Sequence, residues 1–102
     1  MLNGMAPLSD AEAAAHLKLL PGWALGGEGI RRQLTFNGFA DALAFVVRLG
    51  FEAEAADHHP DILVNYRRVT LTYVTHSEGG LTEKDFAGAS RAGELAAAMG
   101  GR

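Results

Sequence analysis

The chain has 102 residues, a formal net charge of −3 and no cysteine. That length fits one domain with a single core, and a chain that is 48% apolar and 21% charged is globular rather than disordered. The missing cysteines exclude disulfides, thiolate nucleophiles and cysteine-based zinc sites. The longest basic runs are the pairs Arg31–Arg32 and Arg67–Arg68, which fall short of a basic stripe, so we expect no direct nucleic-acid ligand.

The N-terminus, MLNGMAPLSD, lacks the basic and apolar regions of a signal peptide. No apolar run approaches the roughly 18–20 residues that span a bilayer. We therefore expect a cytoplasmic protein that does not enter membranes. One domain should cover residues 1–102, with short flexible ends at about 1–6 and 100–102.

The first elements along the chain are a helix and a hairpin. Ser9 can cap the helix and Glu12, three residues on, can complete a capping box, so the helix should run from there to about Leu19. A short strand at Trp23–Leu25 and an alternating strand at Ile30–Phe36 flank a glycine-rich loop. This pattern predicts the first hairpin.

The second helix is predicted over residues 38–57, with Asn37 as its N-cap. Proline disfavours helical geometry in the residue before it, so Pro60 should stop the helix near the histidines. The spacing of the apolar residues predicts that one broad face packs on the sheet, formed by Phe39, Leu43, Val46, Val47, Gly50 and Glu54.

A second hairpin and a third helix complete the chain. Strands are predicted over residues 62–66 and 69–76, with a turn near Arg67–Arg68. Thr82 can cap the last helix, with Asp85 as its box partner, and the helix should reach about Met99. The order α-β-β-α-β-β-α predicts an α+β two-layer sandwich: a four-stranded antiparallel sheet with three helices on one face.

Three of the four histidines fall near one predicted end of the sheet. His58 and His59 lie between the second helix and a strand, and Glu54 precedes His58 by one helical turn. His76 ends the returning strand of the same hairpin, and Asp85 lies in the first turn of the next helix. Because a hairpin brings its far end back to its start, we expect His76 to approach the pair in one cleft.

Imidazoles and carboxylates in one cleft suit proton transfer. Histidine titrates near pH 6.5, so two imidazoles can act as base and acid, and a neighbouring carboxylate can fix a tautomer. The sequence offers no redox centre or activated nucleophile, which leaves isomerisation, hydration or dehydration. Metal binding is the weaker alternative, because adjacent histidines such as His58 and His59 diverge, and the usual i,i+2 or i,i+4 histidine pair is missing.

The spacing of these residues resembles a known signature. Glu54 is followed after three residues by His58-His59-Pro60, after five more by Tyr66, after nine by His76 and after eight by Asp85. This is similar to the pterin-4a-carbinolamine dehydratases, also described as dimerisation cofactors of a homeodomain transcription factor. The motif covers residues 54–85, and Trp23 in a "PGW" also resembles the family pattern. Ile62 departs from that pattern, since many members carry an aromatic residue there.

The resemblance implies dehydration of a 4a-hydroxytetrahydropterin to the quinonoid dihydropterin, without metal or cofactor. His58 and His76 would form the acid/base pair, in an order left open, and His59 would mainly bind the pterin. Glu54 would orient His58 or contact the pterin, and Asp85 would orient His76 or lie near the site. The implied substrate-binding positions are Glu54, Asp57, Thr75, Asp85 and Trp23. The implied partners are further copies of the chain, in a dimer or tetramer, and an aromatic amino acid hydroxylase as a functional link.

A non-catalytic binding module of the same fold is the alternative. One uncovered face of a small sheet favours self-association, with Val74 and the threonines on the outer side of strand 69–75 as candidate contacts. The fourth histidine, His16, is expected on the surface of the first helix.

Overall fold

A computed structural model describes residues 6–102 of the chain. The predicted α+β fold and its order of elements are confirmed, while most boundaries move by one or two residues. The predicted flexible N-terminal end, about 1–6, lies almost entirely outside the described residues. Within residues 6–102, no helix has the length and hydropathy needed to cross a bilayer. The elements are α1 (Asp10–Leu17), β1 (Ala24–Gly26), β2 (Gly29–Thr35), α2 (Phe39–Ala56), β3 (Asp61–Asn65), β4 (Arg68–Tyr73), a 3₁₀ turn (His76–Glu78) and α3 (Glu83–Ala98).

The four strands form one antiparallel sheet in the order β1-β2-β4-β3. Alternate residues point to opposite faces, so Val69, Leu71 and Tyr73 of β4 share one face, and all three are buried. Their partners Leu34 and Ile30 of β2 are buried on the same face. These buried residues form the part of the core that the sheet contributes. The residues of β4 continue it to the end of the sheet where the histidines lie.

The helices α2 and α3 cover this face of the sheet. Phe45 and Leu49 of α2 and Ala89, Ala92 and Leu95 of α3 are buried in the core. The shorter α1 lies against α3, where the His16 ring meets the Phe86 ring with centroids 4.8 Å apart. The opposite face of the sheet carries mainly polar side chains. All three helices therefore lie on the apolar face, whose side chains they bury.

The face of α2 that packs on the sheet differs from the predicted one. Phe39, Leu43 and Val47 are exposed, and only Val46 of the predicted apolar face is packed against the core. The helix carries apolar residues on two sides, so the 3.6-residue period permits either side to face the sheet. Tertiary packing selects the side whose buried residues are Ala42, Phe45, Leu49 and Ala53.

Two local predictions are wrong by one residue. The N-cap of α2 is Gly38, without a side-chain cap, and the Asn37 side chain instead accepts a hydrogen bond from Arg102 at 3.2 Å. The second hairpin turns at Tyr66 and Arg67, with Tyr66 at φ 53°, a left-handed conformation uncommon outside glycine. Both predicted capping boxes, at the starts of α1 and α3, are confirmed.

Candidate active site

The end of α2 sends the two adjacent histidines in different directions. Asp57 adopts a left-handed conformation (φ 52°, ψ 42°), and the His58 N–H donates to the Ala53 carbonyl at 3.1 Å, which closes the helix. Pro60 then favours an extended conformation at His59. As a result the His58 side chain is 11% exposed, whereas that of His59 is 54% exposed.

His58 is hydrogen-bonded to a buried carboxylate. Its Nε2 lies 2.6 Å from Oδ1 of Asp85, which is fully buried. Oδ2 of Asp85 accepts from the Thr75 hydroxyl at 2.8 Å and from the Thr82 N–H at 2.9 Å. A carboxylate is an acceptor at both oxygens, so this arrangement suits a proton on Nε2 of His58 and leaves Nδ1 as the second functional nitrogen.

Two threonines extend this hydrogen-bond chain. The Thr75 hydroxyl uses its one proton on Asp85, so the Thr82 hydroxyl, 2.8 Å away, must donate to Thr75. Thr82 in turn accepts from the Lys84 N–H at 3.3 Å. We call the set His58, Thr75, Thr82 and Asp85 the Asp85 network. Through this network Asp85, in the first turn of α3, is bonded to His58 after α2 and to Thr75 after β4.

Asp85 and Glu54 take other partners than those the sequence suggested. Asp85 bonds His58 and not His76, because Thr75 points into the core towards α3 while the next residue is exposed. Glu54 bonds His59 through its Oε1 atom and not His58, because the left-handed turn at the end of α2 takes His58 inward. The Glu54–His59 pair lies at the surface.

His76 lies in a separate cavity. It begins the 3₁₀ turn after β4, is exposed, and lines a cavity of about 100 Å³ with Glu28, Val74, Gly79 and Gly80. His58 lines a groove of about 190 Å³ between α2 and α3. Across residues 6–102, no hydrogen bond or ring contact joins His76 to the other two site histidines. The sequence predicted one cleft for the three histidines, but His58 and His76 line two separate cavities.

Tyr73 is a neighbour of the site that the motif did not indicate. Its ring stacks on His58 with centroids 5.9 Å apart, and Trp23 lies 5.9 Å behind it. Trp23 is buried and its ring contacts Tyr73, which in turn contacts His58, so Trp23 supports Tyr73. Burial, aided by the Asp85 charge, raises the pKa of Tyr73 to about 12. The sequence signal for Tyr73 is its place among the alternating apolar residues of β4, two residues before Thr75.

Comparison with known proteins decides the family. A family model described as pterin 4 alpha carbinolamine dehydratase matches residues 6–95. The chain belongs to this family. A relative from Roseiflexus sp. strain RS-1 is 49% identical over 88 residues, which cover 86% of this chain and 95% of that protein. It carries the provisional name pterin-4-alpha-carbinolamine dehydratase.

Two solved structures resemble this dehydratase-family fold. A protein from Brucella melitensis, described as a transcriptional coactivator/pterin dehydratase, has a TM-score of 0.83 and 37% identity over 88% of this chain and 98% of its own. A pterin dehydratase-like protein, described as a RuBisCO assembly factor in the alpha-carboxysome, has a TM-score of 0.64 and 26% identity. It covers 74% of this chain and 89% of its own. Proteins of this fold therefore carry names of enzymes and of assembly factors.

Tyr66 of the family signature and Asp57, an expected substrate-binding residue, both lie in turns. Tyr66 forms the turn between β3 and β4 and is exposed, and Asp57 holds the left-handed end of α2. No group of three or more ligating side chains in residues 6–102 is arranged to hold a metal ion. Of the residues in the family signature, His58 and Asp85 are the two that belong to the Asp85 network.

His16, expected on the surface, links α1 to the start of α3. Its Nδ1 lies 2.8 Å from the Glu12 carbonyl and its Nε2 lies 3.0 Å from Oε1 of Glu83. A carbonyl only accepts, so Nδ1 carries a proton, and a second proton on Nε2 completes the bond to the Glu83 carboxylate. The backbone hydrogen bond to Glu12 and then the bond to Glu83 raise the pKa of His16.

The raised pKa predicts a pH-dependent contribution of His16 to stability. The protonated folded form is favoured, so the contribution is complete below the unfolded pKa of about 6.5 and disappears as the pH rises through the higher folded value. The difference in thermal unfolding between wild type and His16→Gln should be larger at about pH 5.5 than at about pH 8.5, where only the packing of the His16 ring on Phe86 remains. An equal difference at both pH values would show that the protonated pair contributes nothing.

Proposed function

We propose that this protein is a 4a-hydroxytetrahydropterin dehydratase that eliminates water by histidine general acid/base catalysis and yields the quinonoid dihydropterin. The observation that carries the proposal is the His58–Asp85 hydrogen bond of 2.6 Å within the signature of a dehydratase family. An aromatic amino acid hydroxylase, which releases the 4a-hydroxylated pterin, would be its functional partner.

The reaction needs one base and one acid. The base removes the proton from N5, the N5–H electron pair forms the C4a=N5 double bond, and the C4a hydroxyl leaves as water after protonation by the acid. We assign the base to Nδ1 of His58, because Asp85 on Nε2 stabilises the imidazolium that forms. We assign the acid to His76, whose exposed ring can exchange protons with solvent. The proton taken by His58 returns to solvent after the product leaves.

Strand register supports a pterin site at the end of β4. The last pair of β3 and β4 is Asp61 with Thr72. Carried two residues further, the antiparallel register would set His59 opposite Val74, and His76 follows Val74 by two residues. The proposal requires a planar ring bound across this end to contact His59 and His76 on the outer side and His58 on the core side, which line separate cavities in this structure. The exposed His59–Glu54 pair would then hold the pterin rather than transfer protons.

The proposal is tested by turnover of the wild-type protein. A 4a-hydroxytetrahydropterin generated in situ should lose water faster with the protein than in buffer, by about 10²-fold or more, when quinonoid dihydropterin is followed by absorbance. Bovine serum albumin at the same concentration controls for nonspecific acceleration. A rate equal to the buffer rate would reject the enzyme and favour the non-catalytic binding module.

The binding module is the second candidate, and two observations favour it. One solved relative is described as a transcriptional coactivator and another as an assembly factor. In addition, α2 exposes an apolar stripe with four-residue spacing, formed by Phe39, Leu43, Val47 and Phe51. Binding through this stripe is compatible with catalysis, because the Asp85 network lies on other side chains.

We further propose that the stripe on α2 joins copies of the chain into a homodimer or homotetramer. Four large apolar side chains on one exposed helix face favour helix packing between copies. The edge strand β3, which exposes Leu63, offers a second surface for self-association.

A charge placed in the stripe should therefore dissociate the oligomer. Val47→Glu and Phe51→Glu should each lower the mass measured by light scattering after gel filtration, because a carboxylate would be buried unpaired between helices. Ala44→Glu, at an exposed position of α2 beside the stripe, is the matched control and should keep the wild-type mass. A monomeric wild type, or a mass unchanged in both stripe variants, would refute this interface.

A further inference from the structure

His76 lies in a short loop whose two ends are bonded to each other. This loop, residues 76–81, follows β4 and precedes α3, and we call it the His76 loop. Thr75 at its start and Gly80 near its end form an antiparallel bridge. The Thr75 N–H donates to the Gly80 carbonyl at 3.2 Å, and the Gly80 N–H donates to the Thr75 carbonyl at 3.4 Å. Main chain therefore closes the base of the loop, while the His76 side chain is exposed.

Side chains close the base of the His76 loop a second time. Thr75 and Thr82 flank the loop, both are buried, and their hydroxyl oxygens lie 2.8 Å apart. Both also donate to Oδ2 of Asp85, Thr75 through its hydroxyl at 2.8 Å and Thr82 through its N–H at 2.9 Å. The other oxygen of Asp85 bonds His58. One carboxylate thus links the His58 ring to both ends of the loop that carries His76.

The Thr82 hydroxyl joins the start of α3 to this base. It accepts from the Lys84 N–H at 3.3 Å and gives its own proton to Thr75, whose proton goes to Asp85. Hydrogen bonds aligned in one direction strengthen one another, and this series begins at a helix N-terminus, where the partial charge is positive. The bond from Thr82 therefore holds the Thr75 side chain in the orientation that bonds Asp85.

The proposed reaction needs two imidazoles at a fixed separation on one substrate, although His58 and His76 line separate cavities. We propose that Thr82 is a positioning residue for dehydration: its hydroxyl holds the base of the His76 loop against Asp85 and so sets the place of the His76 ring relative to His58. Thr82 bonds Thr75, Lys84 and Asp85, and it acts on the histidines through them. This inference rests on the proposed dehydratase activity.

Removal of the Thr82 hydroxyl tests the proposal. Thr82→Val keeps nearly the same shape, and its kcat should fall about 10- to 100-fold with KM within about threefold of wild type, because the reacting groups move while the exposed His59–Glu54 pair does not. Thr82→Ser retains the hydroxyl and should recover kcat to within about threefold of wild type. Ser9→Ala removes the corresponding capping-box hydroxyl of α1, so it controls for the loss of a helix cap and should keep the wild-type kcat.

Hydrogen exchange tests the same role without turnover. The N–H groups of Glu78 and Gly80 both donate to the Thr75 carbonyl, so their exchange rates report on the base of the His76 loop. Thr82→Val should raise these rates about tenfold or more, whereas Thr82→Ser and Ser9→Ala should leave them near the wild-type values. Unchanged rates in Thr82→Val would show that the hydroxyl does not hold the loop.

The outcomes separate the two proposals. No turnover by wild type would overturn the dehydratase activity itself. A wild-type kcat in folded Thr82→Val, or an equal loss of kcat in Thr82→Ser, would overturn the role of Thr82 while the activity stands. All measurements are repeated in the Gly50→Ala background, where alanine favours the helix and meets no atom within 4 Å. If Thr82→Val is unfolded even there, the hydroxyl serves stability alone and the proposal fails.

Discussion

Replacing Asp85 with asparagine is expected to lower kcat for dehydration about 10²- to 10³-fold while KM changes little. Asp85 presents acceptors to His58, Thr75 and the Thr82 N–H at once. An asparagine side chain has one acceptor oxygen and an NH₂ group, so at least one of these donors would face another donor. His58 would lose the partner that fixes its tautomer and stabilises its protonated form.

The same substitution should also reduce stability. A buried donor left without an acceptor costs about 1–3 kcal/mol, so urea unfolding of Asp85→Asn should show a lower midpoint than wild type. Glu83→Gln is the neighbouring control, because Glu83 is exposed and bonds His16 outside the Asp85 network. Its kcat should remain within about twofold of wild type. A wild-type kcat in folded Asp85→Asn would show that Asp85 does not position His58.

Replacing Gly88 with alanine should destabilise the fold by about 2–3 kcal/mol. Gly88 lies in α3 against the ring of Tyr73, and an added Cβ would stand 2.6 Å from Cε1 of that ring. Tyr73 is buried between Trp23 and His58, so its ring has little space to retreat. The displaced ring should also disturb His58 and lower kcat.

Gly50→Ala provides a matched control for this prediction. Gly50 is also inside a helix, but a Cβ there meets nothing within 4 Å. Alanine favours helix over glycine, so Gly50→Ala should stabilise the protein by about 0.5–1 kcal/mol. Equal effects of the two substitutions in urea unfolding would show that the approach of α3 to Tyr73 is not tightly packed.

Elements with local signals were predictable from the sequence. The capping boxes at Ser9 and Thr82 mark the helix starts because their partners lie three residues away. The alternation of apolar and polar residues predicted the buried face of β4, and Pro60 predicted that α2 ends beside the histidines. The order of elements, and with it the fold class, follows from such short-range patterns.

Features set by long-range packing were not predictable in this way. The rotation of α2 depends on which of two apolar sides meets the sheet, and periodicity does not distinguish them. The pairing of His58 with Asp85 joins residues 27 positions apart and depends on the left-handed residue Asp57. The separate cavity of His76 depends on the 3₁₀ turn that follows β4, where the sequence suggested a continuing strand.

The most direct test of histidine catalysis is the dehydration rate of His58→Ala and His76→Ala, measured beside His16→Ala as a control outside the site. We predict that each of the first two lowers kcat at least about 100-fold with the substrate still bound, while His16→Ala keeps the wild-type rate at the same temperature. A wild-type kcat in folded His58→Ala would contradict the central claim that the His58–Asp85 pair moves the proton.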